Sequence, residues 1–309
     1  MTGKPLIVIT GATATGKTRL GIQLAQHFSG EIISADSRQV YRYMDIGTAK
    51  ATPDEQAAAL HHLIDIVEPD EQLSLAQYQD MAYAKIDALH ESNKLPLFVG
   101  GTGQYITAVI DGWSIPRIPP NIPLRAELEA YAKEYSADAL HDRLVKRDPE
   151  YAARTHPNNV RRVVRALEVC IESGSTMTLL QQHKAPPYRI YSIGLTMERE
   201  ALYERVDSRI DDMVERGFID EVQSLLAQGY PATLPAMSAV GYREISAYLK
   251  DEMTLEDAIY KTKTSTHAFI RRQDVWFRGH NQDIVWHNSP ELDMDKLLRE
   301  LTIHLQDSV

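Results

Sequence analysis

The run Gly11-Ala12-Thr13-Ala14-Thr15-Gly16-Lys17-Thr18 fits the pattern G-x-x-x-x-G-K-[ST] at every fixed position. It follows an apolar stretch, residues 5–10, that reads as a buried strand. After it comes a helical pattern with Leu20, Leu24 and Phe28 four apart on one face. Strand, glycine-rich loop and helix in that order restrict the fold more than any other feature of the chain. Glycines let the backbone curl until several N–H groups face one point, where the helix N-terminus and the Lys17 ammonium add positive charge. Gly11, Ala12, Thr13, Ala14, Thr15, Gly16, Lys17 and Thr18 are therefore the expected phosphate or diphosphate site, with Thr18 placed to ligate a Mg²⁺ bridging phosphate oxygens. The motif does not choose between a nucleotide such as ATP and another phosphate compound.

Strand and helix go on alternating. Residues 31–35 form a second short β-rich run. Ser74 and Gln77 have the spacing of a capping box, opening a helix with Leu75, Tyr78, Ala82, Ile86 and Leu89 along one stripe. Residues 95–99 read as a third strand. This pattern predicts an α/β, P-loop NTPase-like core, a parallel sheet with helices on both faces. After Gly112 the pattern changes: Pro116, Pro119, Pro120 and Pro123 suit an extended linker, residues 124–173 are helical with mixed charge, and Pro186 and Pro187 precede a returning strand at 188–195. The expected organisation is a catalytic core of residues 1–113 and 188–309, with an inserted all-helical domain at 114–187. The last third reads as mostly helical, broken at Gly217, Gly229 and Gly241, with a long helix over 254–276.

Apolar runs such as residues 6–9 and 97–99 are far too short to span a bilayer, and the N-terminus shows no signal-peptide pattern. The single cysteine, Cys170, lies in an apolar helical stretch and reads as core packing, which fits a reducing compartment. A cytoplasmic monomer is the expectation. A net charge of −10 argues against a blanket grip on nucleic acid, yet residues 143–165 hold seven basic side chains against two acidic ones. That segment is either a solvated helical face or a local phosphate-binding surface.

Asp36 directly follows the second strand. In a doubly wound sheet, strand ends on the side of the phosphate loop line the ligand crevice. A carboxylate there would repel phosphate unless it organises Mg²⁺ or takes a proton from a nucleophile; the plainer alternative is a helix N-cap. The third strand ends in Gly100-Gly101-Thr102-Gly103, without the acidic residue that a nucleotide triphosphatase usually carries there. Those glycines serve either a tight turn or close ligand access.

Taken together, these residues resemble the bacterial tRNA dimethylallyltransferases, the isopentenyl-tRNA transferases, through nearly the whole chain. The resemblance rests on the phosphate loop, the run from Asp36 through Ser37, Arg38 and Gln39 to Tyr41, Asp45-Ile46-Gly47-Thr48-Ala49-Lys50, and His61-His62-Leu63-Ile64-Asp65. It continues through Gly100-Gly101-Thr102-Gly103, His156-Pro157-Asn158, Arg161-Arg162, Arg165-Ala166-Leu167-Glu168-Val169, then Arg205, Arg209, Gly217, Glu221-Val222, Val240-Gly241-Tyr242-Arg243-Glu244 and Arg271-Arg272-Gln273. It implies transfer of a dimethylallyl group from dimethylallyl diphosphate to the N6 amine of the adenosine at tRNA position 37, in a channel through the core. By the same resemblance Asp36 is the base, Thr13 and Arg209 hold the diphosphate leaving group, and Mg²⁺ at Thr18 shares its charge. The residues it assigns to tRNA are Asp36, Ser37, Arg38, Gln39, Thr102, Arg161, Arg162, Val163, Val164, Arg165, Gly241, Tyr242 and Arg243; Arg271, Arg272 and Arg278 are either further phosphate contacts or a solvated helix surface. The insertion is expected to grip the anticodon stem-loop. The chain departs from the family at Ala12, usually proline, at Thr15, usually small, and at Gln104, usually leucine.

Three rivals share parts of this pattern. An adenylate isopentenyltransferase would need no basic insertion for its small acceptor. A small-molecule kinase should carry the missing acidic strand end. An RNA-binding module without chemistry leaves Asp36 unexplained.

Overall fold

The computed structural model describes residues 3–182, 184–280 and 283–306. Its core opens β1 (Lys4–Gly11), α1 (Lys17–His27), β2 (Gly30–Ala35), α2 (Pro53–Ala58), β3 (His61–His62), α3 (Leu75–Glu91), β4 (Leu95–Gly100) and α4 (Gly103–Ile110). Five helices follow: α5 (Ile122–Glu134), α6 (Ala137–Arg147), α7 (Pro149–Ala153), α8 (Val160–Ser173) and α9 (Met177–Leu180). The core resumes with β5 (Tyr188–Thr196), α10 (Arg199–Glu215), α11 (Phe218–Ala227), α12 (Tyr242–Tyr248), α13 (Leu255–His280), β6 (Ile284–Asn288) and α14 (Met294–Gln306).

The strands form one parallel sheet in the order β3-β2-β4-β1-β5-β6. Side chains alternate across a strand, and the core clusters divide accordingly. Leu6 and Val8 of β1 pack with Ile33, Phe98 and the α3 stripe Tyr78, Ala82 and Ile86 on one face. Ile7 and Ile9 pack with Leu97, Ile193, Leu20 and Leu24 of α1, and Leu297 and Leu301 of α14 on the other. Helices on both faces are what a parallel sheet requires, because neither face can be left to water. The Ser74 capping box forms in full: Gln77 N donates to Ser74 Oγ at 3.2 Å and Ser74 N to Gln77 Oε1 at 3.0 Å.

The chain divides into two compact units, Met1–Ile110 with Pro187–Val309, and Asp111–Pro186. The insertion thus begins three residues earlier than the 114 expected from the prolines. Chain pairing explains the shift: Lys184 N donates to Gly112 O at 2.9 Å and Ser114 N to Gln182 O at 2.7 Å. Gly112 bends there with φ +60°, and a Cβ on it would lie 1.7 Å from Lys184 O. This unit has its own apolar core, including Leu128, Leu140, Leu144, Val163, Val164 and Leu167. Cys170 is buried at 6% exposure, as packing predicts. The long helix α13 runs four residues past the expected end at Trp276, to His280. Among the described residues no helix is long and apolar enough to cross a membrane.

Candidate active site

The phosphate loop turns through Gly11 at φ +141°, Ala14 at φ +63° and Gly16 at φ +96°. Any side chain at Gly11 would bring its Cβ within 2.3 Å of Leu195 O. The loop is braced from inside: the buried Thr15 hydroxyl donates to Ala12 O at 2.9 Å and Lys17 Nζ to the same carbonyl at 2.6 Å. Thr15 therefore holds the loop's shape and stays off the cavity walls, as do Gly11 and Ala12; Thr13, Ala14, Gly16, Lys17 and Thr18 reach them. No backbone N–H of residues 14–18 donates to a protein group among the described residues. Burial lowers the Lys17 pKa to about 8, with Asp36 opposing that shift and Arg209 adding to it.

Two cavities meet at this loop. The first, about 540 Å³, is walled by the loop, Asp36, Gln39, Lys50, Glu55 and three arginines on one side of α10 and just past it, Arg205, Arg209 and Arg216. The second, about 610 Å³, runs between Ser37, Arg38, Thr102, Gln104, Phe218, Val240, Arg243, Phe269, Arg272 and Trp276. Thr13, Lys17, Asp36, Gly101, Arg209 and Met213 wall both, so they stand where the two join. The three arginine side chains form no ion pair with the described residues. Burial lowers the Arg209 pKa, Arg205 and Arg216 lower it further, and Glu55 resists. Cations packed this closely, without an ion pair among the described residues, suit an anionic ligand.

Asp36 caps a turn rather than a helix, and it also faces the cavities. Its Oδ1 caps the following turn, accepting from Arg38 N at 2.8 Å and Gln39 N at 3.4 Å. Its Oδ2 accepts no hydrogen bond from the described residues, and the side chain walls both cavities. Ser37 N donates to Thr102 Oγ1 at 2.9 Å, which joins the β2 and β4 strand ends. The glycines after β4 serve close approach: a Cβ on Gly100 would lie 2.1 Å from Ala35 O, and one on Gly101 2.6 Å from the amide of Gln273.

Several expected tRNA contacts are corrected by burial. Val163 and Val164 are 0% and 2% exposed inside the helical unit, so their side chains are core packing, as the inward face of α8 demands. Tyr242 is 0% exposed and donates its hydroxyl to Glu221, while Gly241 packs against Phe218 with its N–H on Glu244. Arg165 is held by buried Glu168 and the carbonyls of Pro116 and Ile118. Gln39 donates to the carbonyls of Thr48 and Ala49 and walls the first cavity. Arg38 reaches the second cavity but also donates to Pro235 O at 2.7 Å. Thr102 and Arg243 stay on the second cavity, and Arg161 and Arg162 are exposed. Arg272 lines the second cavity, whereas Arg271 donates to the Tyr203 hydroxyl and Arg278 lies over Trp286.

Sequence reading gave no role to Gln273, Phe269, Trp276 or Phe218. All but Phe218 lie on α13, where helical spacing sets Phe269, Gln273 and Trp276 toward one face, and Gln273 also closes the run Arg271-Arg272-Gln273. Thr18 lines the first cavity and its hydroxyl bonds to no described group, so it is free to take a cation. Among the described residues no three His, Cys, Asp or Glu side chains cluster to hold a metal by themselves.

Residues 39–280 match the model of the IPP transferase family. The chain is 53% identical over 274 residues to the tRNA dimethylallyltransferase of Roseiflexus sp. (strain RS-1), covering 89% of this chain and 90% of that one. It is 51% identical over 281 residues to its counterpart in Chloroflexus aurantiacus, covering 91% and 95%. Among solved structures, the full-length tRNA isopentenylpyrophosphate transferase of Bacillus halodurans superposes with a TM-score of 0.73 at 43% identity, over 99% of this chain and 98% of that one. A eukaryotic dimethylallyltransferase acting on tRNA superposes at 0.81 and 28% identity, over 97% and 78%.

Proposed function

The chain belongs to the IPP transferase family, and from that premise we propose that it transfers the dimethylallyl group of dimethylallyl diphosphate to N6 of adenosine 37 in tRNA. One observation carries this reading: a phosphate loop, an arginine cluster and a half-used carboxylate sit at the junction of two cavities of about 540 and 610 Å³.

The donor's diphosphate lies on the amides of residues 14–18, with Lys17, Arg209, Arg205 and Thr13 around it. Its allylic carbon then points toward the junction. The adenine enters from the second cavity, flipped from its stack at a cost of a few kcal/mol that an anticodon loop keeps low. Val240, Phe269 and Trp276 offer it apolar walls. The N6 lone pair attacks the allylic C1, the C1–O bond breaks, and the electron pair leaves with diphosphate. Asp36 Oδ2 takes the N6 proton. Growing charge on the leaving group meets donors already in place, which is the largest contribution a rigid site makes. Thr18, the diphosphate oxygens and water are the oxygen ligands that would hold Mg²⁺, which when bound neutralises part of the leaving group's charge.

The test is direct. Purified protein is given labelled dimethylallyl diphosphate or labelled ATP, with tRNA, AMP or no acceptor. Prenyl label in tRNA is expected. Label in AMP points to a nucleotide prenyltransferase, and ATP turnover with no prenyl transfer to a kinase; either overturns the reading.

A further inference from the structure

The buried stripe of α13 contains two hydrogen-bonding side chains that behave differently. Thr262 turns its hydroxyl back onto Ala258 O in its own helix. Gln273, 6% exposed, reaches out: its Oε1 accepts the Thr13 N–H at 2.9 Å and its Nε2 donates to Gly101 O at 2.8 Å. The partners fix the amide's orientation, because a backbone N–H can only donate and a carbonyl can only accept.

These two contacts join parts of the site that arise far apart in the chain. Thr13 belongs to the phosphate loop after β1, and Gly101 begins the turn after β4. One residue on, Thr102 N donates to Ala35 O at 3.1 Å and the Thr102 hydroxyl accepts from Ser37 N, on either side of Asp36. A single side chain thus links the donor loop to the turn that braces the base. Only a carboxamide of this length gives a neutral acceptor and donor at one head: glutamate lacks the donor, lysine and arginine lack the acceptor, and methionine lacks both. The fit is close, since a methyl group on Gly101 would collide with Nε2. By holding the Thr13 N–H, Gln273 also turns that peptide away from the diphosphate and fixes where the Thr13 side chain stands on the junction wall.

We infer that Gln273 is a positioning residue for the transfer step: it sets the spacing between Thr13 and the Asp36–Thr102 edge through the peptides of Thr13 and Gly101. The inference rests on the transfer reading above and concerns the alignment of two substrates, where a displacement of about 1 Å costs on the order of a hundredfold in rate.

The experiment compares wild type, Gln273→Met and Gln273→Glu in the prenyl-transfer assay across pH, with thermal melting as a check on folding. Gln273→Met keeps length and apolar bulk; its kcat should fall by roughly tenfold to a hundredfold, with the donor KM changed less. Gln273→Glu keeps an acceptor and regains a donor only when protonated, which burial favours by raising the carboxyl pKa. Its rate relative to wild type at the same pH should climb several-fold as pH falls, while the Gln273→Met ratio stays flat. A Thr13→Ala background should shrink the loss caused by Gln273→Met. A wild-type kcat in Gln273→Met, or the same flat pH ratio in both variants, overturns the inference; if Gln273→Met does not fold, the Gln273→Glu ratio decides. Wild type that transfers no prenyl label overturns the transfer reading instead.

Discussion

Two stretches of the core, residues 14–18 and residues 45–47, free consecutive backbone N–H groups from helix and sheet, and they treat that positive field in opposite ways. At 45–47 the chain supplies the anion itself: Glu221 accepts from Asp45 N at 3.0 Å, Ile46 N at 2.7 Å, Gly47 N at 3.2 Å and the Tyr242 hydroxyl at 2.5 Å. Burial first, then Glu221, holds the Tyr242 phenol protonated. Gly47 lies so close to Phe218 that a Cβ would sit 2.1 Å from its ring. At 14–18 no carboxylate among the described residues accepts from the amides, and Lys17 and Arg209 add charge of the same sign. The same backbone chemistry makes a structural clamp where the sequence provides an anion, and a receptor where it withholds one.

The largest effect should come from the receptor. Lys17→Met is expected to lower kcat/KM for the donor by about a hundredfold to a thousandfold, the usual consequence of losing one preorganised donor at a developing anion. Its melting temperature should hold or rise, because the burial cost of the ammonium is gone and outweighs the lost bond to Ala12 O. Glu221→Ala should do the reverse to stability. It strands three N–H groups and a phenol, and the loss should be roughly 2–4 kcal/mol by urea titration. Glu221→Gln, retaining one acceptor oxygen, should lose less. Equal destabilisation by Lys17→Met and Glu221→Ala would erase the distinction between the two stretches.

Acidity sharpens the contrast further. With Lys17 titrating at about 8, the ammonium that attracts diphosphate is lost as pH rises through that value. The donor kcat/KM, which reports the free enzyme, should fall by about tenfold per pH unit above it. Stability of the ligand-free protein should move the other way. Between about 8 and the ordinary lysine value of 10.5 the unfolded chain holds a proton that the folded chain has released, so this group's contribution to stability rises with pH across that window. A donor profile flat to pH 10 would show that Lys17 does not govern donor binding.

Much of this was legible in the sequence because it was local. The phosphate loop, the capping box at Ser74 and the strands at 5–10 and 95–99 are written in consecutive residues. Asp36 could be placed from its position after a strand. Charge and resemblance failed where burial decides. Val163, Val164 and Tyr242 lie within motifs that also hold exposed residues, and less than two turns of helix separate Arg162 on the surface from Glu168 in the core. Gln273 and Glu221 were harder still. Each works through a partner more than 170 residues away, and neither glutamine nor glutamate spacing foretells such a pairing.

The smallest effect concerns the helical unit, where the same division between committed and uncommitted charge recurs. Glu168 is 0% exposed and takes both oxygens' worth of donors from Arg125 and Arg165; burial pushes its pKa up, but those two guanidiniums outweigh it and leave the carboxyl below its ordinary range. The side chain of Arg161, about two turns from Glu168, bonds to no described group, and that of Arg162 donates only to the Tyr151 hydroxyl and lies over the same ring. If exposed, unneutralised guanidiniums meet RNA phosphates, Arg161→Ala with Arg162→Ala should weaken tRNA binding by roughly tenfold at moderate salt and reduce the slope of log affinity against log salt by about one to two. Melting should be almost unchanged. Arg165→Ala should show the mirror image: it leaves the buried carboxylate with one guanidinium, Arg125, and the Asn121 N–H, so the unit loses stability while the salt slope stays where it was. Filter binding of tRNA at four or five salt concentrations, beside melting curves, separates the two outcomes. A salt slope that drops only in Arg165→Ala would mean that the buried pair, and not the exposed one, marks the RNA-binding side of α8.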